Sequence, residues 1–414
     1  PQGSPHTLQA TVNAEAQKWS TLWNSRGTVS APIFPSEVPA LPRITPEVVR
    51  RASAAFGQRT GVGGDHLHPR WFAHLSEVTL KRVCFLFSCF ESLGIVPSTL
   101  WNMLLLYEKA QGGFRPIGLL PSIVRLWEYC RKIYLWDWES ENQRDYNWAA
   151  PGKSSFTVVA HQRLAVESAG DTFLSSLALL DLVKAYELVP HHRILDGAIR
   201  YNFPLAILRV VFSVFNLERF ICIAGCFSNS VHVLFSTIIA GSVFGPALLR
   251  MSLMESLDAW HRRWPLMQLY LYIDDMGVLA QGTTRLITAQ FFASIADLDA
   301  VLSSVDAKMS RGEPGITGGK SVVLAPLELL TILALQFLKL GIAVIDHARN
   351  LGIDFYLSFR RHSEVRAARR SAVELRLTRL NILKRSFCGG AWKVGRCGLW
   401  PAYSYGHAIT GMSQ

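Results

Sequence analysis

Two β-prone apolar runs, 269–273 and 276–280, stand on either side of the adjacent acids Asp274 and Asp275. Apolar strands around a short polar centre read as a β-hairpin with the acids at its tip. Neighbouring carboxylates on a tight turn repel each other and gain nothing by burial alone. A hard divalent cation such as Mg2+ relieves that repulsion, since it takes carboxylate oxygens together with substrate phosphates. On the dipeptide alone a solvated Asp-Asp turn is the plainer reading, because turns favour Asp.

A second stretch shifts that balance. Leu177-Ala178-Leu179-Leu180-Asp181-Leu182-Val183-Lys184-Ala185-Tyr186-Glu187 reads as a buried strand interrupted by one acid. A lone Asp in such a strand is costly unless it is paired, hydrogen-bonded or on a metal. Asp181 with Asp274 and Asp275 would make a three-carboxylate cluster, the constellation that holds two Mg2+ ions for in-line phosphoryl transfer.

At these residues the sequence resembles the reverse transcriptases (RNA-directed DNA polymerases) of non-LTR, LINE-type retrotransposons. Their aspartate-bearing palm strand reads like LALLDLVKAYELVPHH, and their aromatic-x-Asp-Asp hairpin like YLYIDDMGVLA. The resemblance spans residues 57–411, with its motifs in the family order.

First comes Gly61-Val62-Gly63-Gly64-Asp65-His66-Leu67-His68, similar to the Gly-Asp loop ahead of the family's fingers. It completes no G-x-G-x-x-G, and its histidines read as loop residues. An amphipathic helix is expected over 71–93 and a strand over 103–107. Gly112-Gly113 then turns a hairpin whose ends carry Lys109 and Arg115. By itself that is a solvated surface hairpin. The resemblance implies that Lys109 and the Arg of Arg115-Pro116-Ile117 grip the incoming triphosphate, and Arg suits bidentate phosphate contact. Helices are expected over 122–144, 156–168 and 204–216. Pro190 opens another.

Tyr186, five residues after Asp181, is where the family keeps an aromatic gate against the sugar 2′-hydroxyl; a core Tyr at a strand end is the alternative. Ala240-Gly241-Ser242-Val243-Phe244-Gly245-Pro246 is similar to the family's glycine turn and helix. Gln normally precedes that Gly, and here Ala240 takes its place. The departure bears on nucleotide selection. Gly312 to Ser321 misses the P-loop pattern, which needs Gly where Pro314 stands. The family reading is Lys320 opening a strand near the triphosphate, and Leu351-Gly352 in a primer-grip hairpin.

Charge becomes one-sided over 360–396, where eleven basic side chains face only Glu364 and Glu374. This holds most of the net charge of +11. Val373, Leu377, Leu380 and Lys384 keep helical spacing. A solvated basic helix is one reading. The other is a thumb helix tracking a phosphate backbone through Arg366, Arg369, Arg370, Arg376 and Arg379.

Periodicity supports α+β. The resemblance implies a right-hand polymerase: fingers, an antiparallel-sheet palm with a ferredoxin-like core, and a partial helical thumb. The expected division is an extended leader over 1–56, fingers over 57–172, palm over 173–357 with fingers elements interleaved, and an incomplete thumb over 358–414. The leader is expected to be extended because Pro32, Pro35, Pro39, Pro42 and Pro46 break helices.

The implied activity is RNA-templated DNA synthesis on a primer 3′-hydroxyl, with RNA template, DNA primer and deoxynucleoside triphosphates as partners. Two Mg2+ ions, with Mn2+ as the substitute, are expected on Asp181, Asp274 and Asp275. Lys109, Arg115 and Lys320 would neutralise phosphate charge. The alternative is a degenerate polymerase scaffold that only binds nucleic acid; the intact acids weigh against it and Ala240 for it.

The seven scattered cysteines contain no C-x-x-C pair, which supports neither a zinc ribbon nor a disulfide framework. An intracellular ribonucleoprotein, nuclear or cytoplasmic, is the expected setting. The apolar tract 321–345 holds Pro326, Glu328, Gln336 and Lys339, which are costly in lipid, so strand-helix-strand is expected there and no membrane partner. The first residue is Pro, and no endonuclease, RNase H or zinc-knuckle pattern is visible, so a longer parent is expected.

Overall fold

The computed structural model describes residues 5–25, 30–109, 112–170, 173–357, 363–386 and 388–410. Arg360 and Arg361 of the basic run lie outside them. The elements begin with α1 (Pro5–Trp23), α2 (Pro46–Ala54), α3 (Glu77–Leu93), β1 (Asn102–Glu108), β2 (Phe114–Leu119) and α4 (Ser122–Glu141). Next are α5 (Ser155–Ser168), β3 (Leu174–Asp181), α6 (His191–Arg200), α7 (Leu205–Phe215), β4 (Arg219–Ile223), β5 (Cys226–Phe227) and α8 (Gly245–Arg263). Then come β6 (Met267–Tyr272), β7 (Asp275–Gly282), α9 (Thr284–Leu286), α10 (Phe292–Ser304), β8 (Val322–Leu324) and α11 (Leu327–Phe337). The series continues with β9 (Ala343–Ile345), β10 (His347–Asn350), β11 (Ile353–Tyr356) and α12 (Glu364–Ser386); short helices follow. This is a mixed α/β chain in two compact units.

The first unit holds 1–143, 184–256 and 304–307. Its sheet runs β2-β1-β4-β5, with β1 antiparallel to β2 and parallel to β4. The sequence of α7, LAILRVVFSVF, is apolar nearly all round, and a helix of that kind is a core helix. Ile207, Leu208, Val210 and Phe215 are fully buried. Helix α4 follows Pro121, whose side chain caps nothing. Asp65 caps it from elsewhere: its carboxylate accepts from Ser122 N at 2.6 Å and Ser122 Oγ at 3.2 Å. The Gly-Asp loop therefore works as a tether for α4. Farther along α4, buried Arg131 makes two bonds to Glu91 of α3, at 2.7 and 2.6 Å. Both charges are satisfied, which a buried pair requires.

The second unit holds 144–183, 257–303 and 308–414. Its five-stranded sheet has the order β6-β7-β3-β8-β9; all neighbours are antiparallel except β8 and β9. The inner strand β3 buries Leu177, Ala178 and Leu180. Val159, Leu279, Leu324 and Phe355 join Leu177 in one core cluster. The continuous helix Thr284–Ser304 is the one described helix long and apolar enough to cross a membrane. Ile287, Phe291, Ile295, Leu298 and Leu302 along it are fully buried, as in a core helix. The tract 321–345 forms β8, α11 and β9.

Three local expectations change. Residues 5–23 are helical, because every proline behind the extended-leader reading lies at 32 or beyond; 30–45 are without helix or strand. The expected helix from Trp71 begins instead at Glu77, behind a short 3-10 turn, Pro69–His74. Ser76 interrupts the run by taking extended backbone and capping Thr79 N. Asp181 is not inside its strand. It is the last residue of β3 and only partly buried, so its burial costs little.

Candidate active site

Strand pairing sets the site. Asp181 at the end of β3 lies directly opposite Asp275 at the start of β7. Tyr272 pairs with Asp275 across the β6–β7 hairpin, which leaves Ile273 and Asp274 as its two-residue loop. Ile273 takes φ 62°, a left-handed conformation that β-branched residues avoid. Strain of this kind collects at functional sites, where the surrounding structure over-determines it.

Lys320, just ahead of β8, brings its ammonium to both oxygens of Asp181, at 3.3 and 3.2 Å. The Asp181 N–H donates to Ser321 Oγ at 3.1 Å, which fixes the strand end. The Asp275 carboxyl is pushed up to about 6, first by the protein crowding it, then by the charges of Asp274 and Asp181; Lys320 opposes the shift. Asp275 is exposed by surface area yet lines a cavity. Solvent on its open side screens these charges.

That cavity, about 520 Å3, is bordered by Asp181, Asp275, Lys320, Tyr272, Arg349 and the Leu351-Gly352 turn. In its wall, Asn350 Nδ2 donates to Gln162 Oε1 at 2.6 Å, and both residues are buried. A Cβ at Gly277 would come within 2.7 Å of Gln162 Nε2, so the small residue after Asp-Asp-Met makes room for this pair. Carboxylates and cations together around one concave space suit a charged ligand and its counter-ions.

No group of three His, Cys, Asp or Glu side chains stands ready to hold an ion among the described residues. Asp181, Asp274 and Asp275 carry like charge close together, and Lys320 pairs with Asp181. The donor chemistry still fits a hard divalent ion. Mg2+ is usually bound by one or two carboxylates with substrate phosphates and water supplying the rest.

The first unit carries the other expected residues. Lys109 and Arg115 are both exposed at the open end of the β1–β2 hairpin, where Arg115 pairs with Tyr107 and Lys109 N donates to Gly113 O. Tyr186 is half-buried with its ring edge against Gly245. Ala240 and Gly241 are exposed between buried Ile239 and Ser242. Gly241 has φ 127°, and a Cβ there would collide with Gly118 O.

The five arginines of α12 divide. Arg376 and Arg379 are exposed. Arg370 pairs with Glu374 at 2.9 Å. Arg369 turns inward: it lies over the Tyr405 ring and donates to Tyr405 O and Gly352 O. Asp354 caps the helix by accepting from Val365 N and Arg366 N.

A family model for reverse transcriptase (RNA-dependent DNA polymerase) matches residues 107–324. The chain belongs to the reverse transcriptase family. No curated protein matches it. Family membership supports RNA-directed nucleotidyl transfer in general, with template, primer and deoxynucleotides as substrates and divalent ions in general use. The reverse-transcriptase match contains Lys109, Arg115, Asp181, Tyr186, Ala240, Gly241, Asp274, Asp275 and Lys320, and it stops before α12.

Sequence reasoning passed over Gln162, Asn350 and Glu128 of this reverse transcriptase. A signal existed for two of them. Gln162 follows Val158 and Val159 at core spacing on α5, and Glu128 sits between Val124 and Arg131 on the buried stripe of α4. A polar residue on an apolar stripe must have a buried partner.

Proposed function

We propose that the chain is the RNA-directed DNA polymerase of a non-LTR retroelement, adding deoxynucleotides to a primer 3′-hydroxyl by two-metal catalysis. The observation behind this is the opposition of Asp181 and Asp275, with Asp274 in the adjoining turn, in a member of this family. Asp181, Asp274 and Asp275 are the residues that would hold the ions, since all their donors are hard oxygens. Mg2+, with Mn2+ as the substitute, supplies charge neutralisation and a more acidic hydroxyl at such a site.

The protein's own groups do the rest. In the second unit, Lys320 keeps an ammonium beside the carboxylates, where it can neutralise phosphate oxygens. In the first unit, Lys109 and Arg115 offer two exposed cations on one hairpin. Tyr186 is assigned to exclude the ribose 2′-hydroxyl, and the Ala240-Gly241 step to meet the nucleotide. Arg366, Arg370, Arg376 and Arg379 of α12 are assigned to the nucleic-acid backbone, as the thumb of a right-hand polymerase. Arg369 serves that helix by holding it to Tyr405 and Gly352.

Primer extension on a homopolymer RNA template tests the reading. The wild type should extend a DNA primer with Mg2+ and stop when the ion is chelated. A folded wild type that extends nothing with Mg2+ or Mn2+ overturns it.

A further inference from the structure

The Ala240-Gly241 step is exposed, yet the backbone on both sides of it is clamped. On one side, Gly118 N of β2 donates to Ala240 O at 2.6 Å. On the other, a carboxyl reaches in from α4. Glu128 is 1 % exposed. Ser242 Oγ lies 2.6 Å from its Oε1, and Val243 N donates to its Oε2 at 3.2 Å. Ser242 Oγ also accepts from Phe244 N at 3.3 Å, one turn ahead of α8. All of these groups lie in the first unit.

A buried carboxyl is expensive, and helix α4 would be better served by an apolar residue at this point on its stripe. Burial pushes the Glu128 carboxyl up to about 7, against the Ser242 and Val243 hydrogen bonds and the charge of Arg125. Both protonation states can keep both contacts. The ionised form accepts from Ser242 and Val243. The neutral form can donate to Ser242 Oγ through one oxygen and accept from Val243 through the other. What the side chain supplies is therefore two polar atoms at a fixed depth, and the turn is what they fix.

We propose that Glu128 is a positioning residue of the polymerase, holding the Ser242-Val243 backbone so that the exposed Ala240-Gly241 step meets the incoming nucleotide in one conformation. The proposal rests on the assignment of that step to the nucleotide. Glu128 itself is buried and touches no substrate.

Two substitutions separate positioning from packing. Glu128→Met keeps volume and helix preference but removes both polar contacts. Glu128→Gln keeps both, because its amide donates to Ser242 Oγ while its carbonyl accepts from Val243 N. In steady-state primer extension, Glu128→Met should raise KM for the deoxynucleotide about tenfold or more, from two lost hydrogen bonds. Affinity for primer-template should stay within about twofold, since Glu128 is buried and makes no contact with substrate. Glu128→Gln should restore KM to near the wild-type value. Amide hydrogen exchange supplies a readout free of activity: Val243 N–H should lose protection in Glu128→Met and keep it in Glu128→Gln. Unchanged KM in a folded Glu128→Met, or equal loss in both variants, overturns the proposal. If the wild type extends no primer, the polymerase reading fails on its own account. Retained protection of Val243 in Glu128→Met then overturns the clamp as well.

Discussion

Asp181 and Asp275 face each other across neighbouring antiparallel strands, and Lys320 bridges Asp181 at 3.2 Å. The pair is thus half neutralised by the protein itself. The Asp275 carboxyl is raised first by burial and then by the charges of Asp274 and Asp181, with Lys320 opposing.

Asp274→Asn replaces a carboxylate with an amide, a poor ligand for a hard cation. The turn and its register should survive, because the substitution is isosteric. Extension should fall by about a thousandfold or more, given several kcal/mol of transition-state stabilisation at 1.36 kcal/mol per factor of ten. Single-turnover extension with Mg2+ measures it, and a rate close to wild type would remove Asp274 from the metal site.

Tyr186→Ala opens space beside Gly245, against which the ring packs. The ratio of ribonucleotide to deoxynucleotide incorporation should rise by about tenfold or more, the scale on which a pocket discriminates a small group. An unchanged ratio would make Tyr186 a packing residue.

Arg376 and Arg379 are exposed, whereas Arg369 is tied to Tyr405 and Gly352. Arg376→Ala and Arg379→Ala should each weaken primer-template binding and reduce its salt slope by about 1. Arg369→Ala should instead lower stability by about 1–3 kcal/mol through lost charged hydrogen bonds. Salt titrations of binding, with thermal melts alongside, distinguish the two. A melt unchanged by Arg369→Ala would contradict its structural role.

Folding stability should depend on pH through Glu128. Its folded carboxyl is raised to about 7 from an ordinary 4.5, so the folded state binds the extra proton. Its effect on stability is greatest below 4.5 and declines as pH rises through 7, by about 3 kcal/mol in all. Glu128→Gln cannot ionise. The stability of that variant minus wild type should grow from pH 5 to pH 8, read by denaturant unfolding. A flat difference would mean that the carboxyl is not raised.

Ala240→Gln restores the side chain that the family usually carries before its glycine. A single hydrogen bond to an uncharged group is worth roughly 0.5–1.5 kcal/mol, which is about tenfold in rate at most. Extension rate and misincorporation should improve within that range. An inert parent rescued by orders of magnitude would show the natural chain to be a degenerate scaffold.

Much of the site was legible because its chemistry is local in the chain. Asp274 and Asp275 interrupt two β-prone runs, and Lys320 stands two residues before another strand; apolarity and turn residues specify these without reference to anything distant, whereas the end of β3 at Asp181 is hidden in a run that stays apolar through Leu182 and Val183. The hairpin bearing Lys109 and Arg115 follows equally from Gly112-Gly113. The helix over 5–23 does not follow from the prolines at 32 and beyond, which break helix only where they stand.

Tertiary structure decided what each polar residue is for. Register alone puts Asp181 opposite Asp275, and a shift of one residue would turn either side chain to the other face. Arg369 looks like its neighbours in a basic run, yet packing commits it to Tyr405 and Gly352. Asp65 and Asp354 each cap a helix they do not belong to. Gln162 meets Asn350, and Glu128 meets Ser242, across sequence separations of 188 and 114 residues. A sequence can show that a buried polar side chain needs a partner; only the packed chain determines which one it finds.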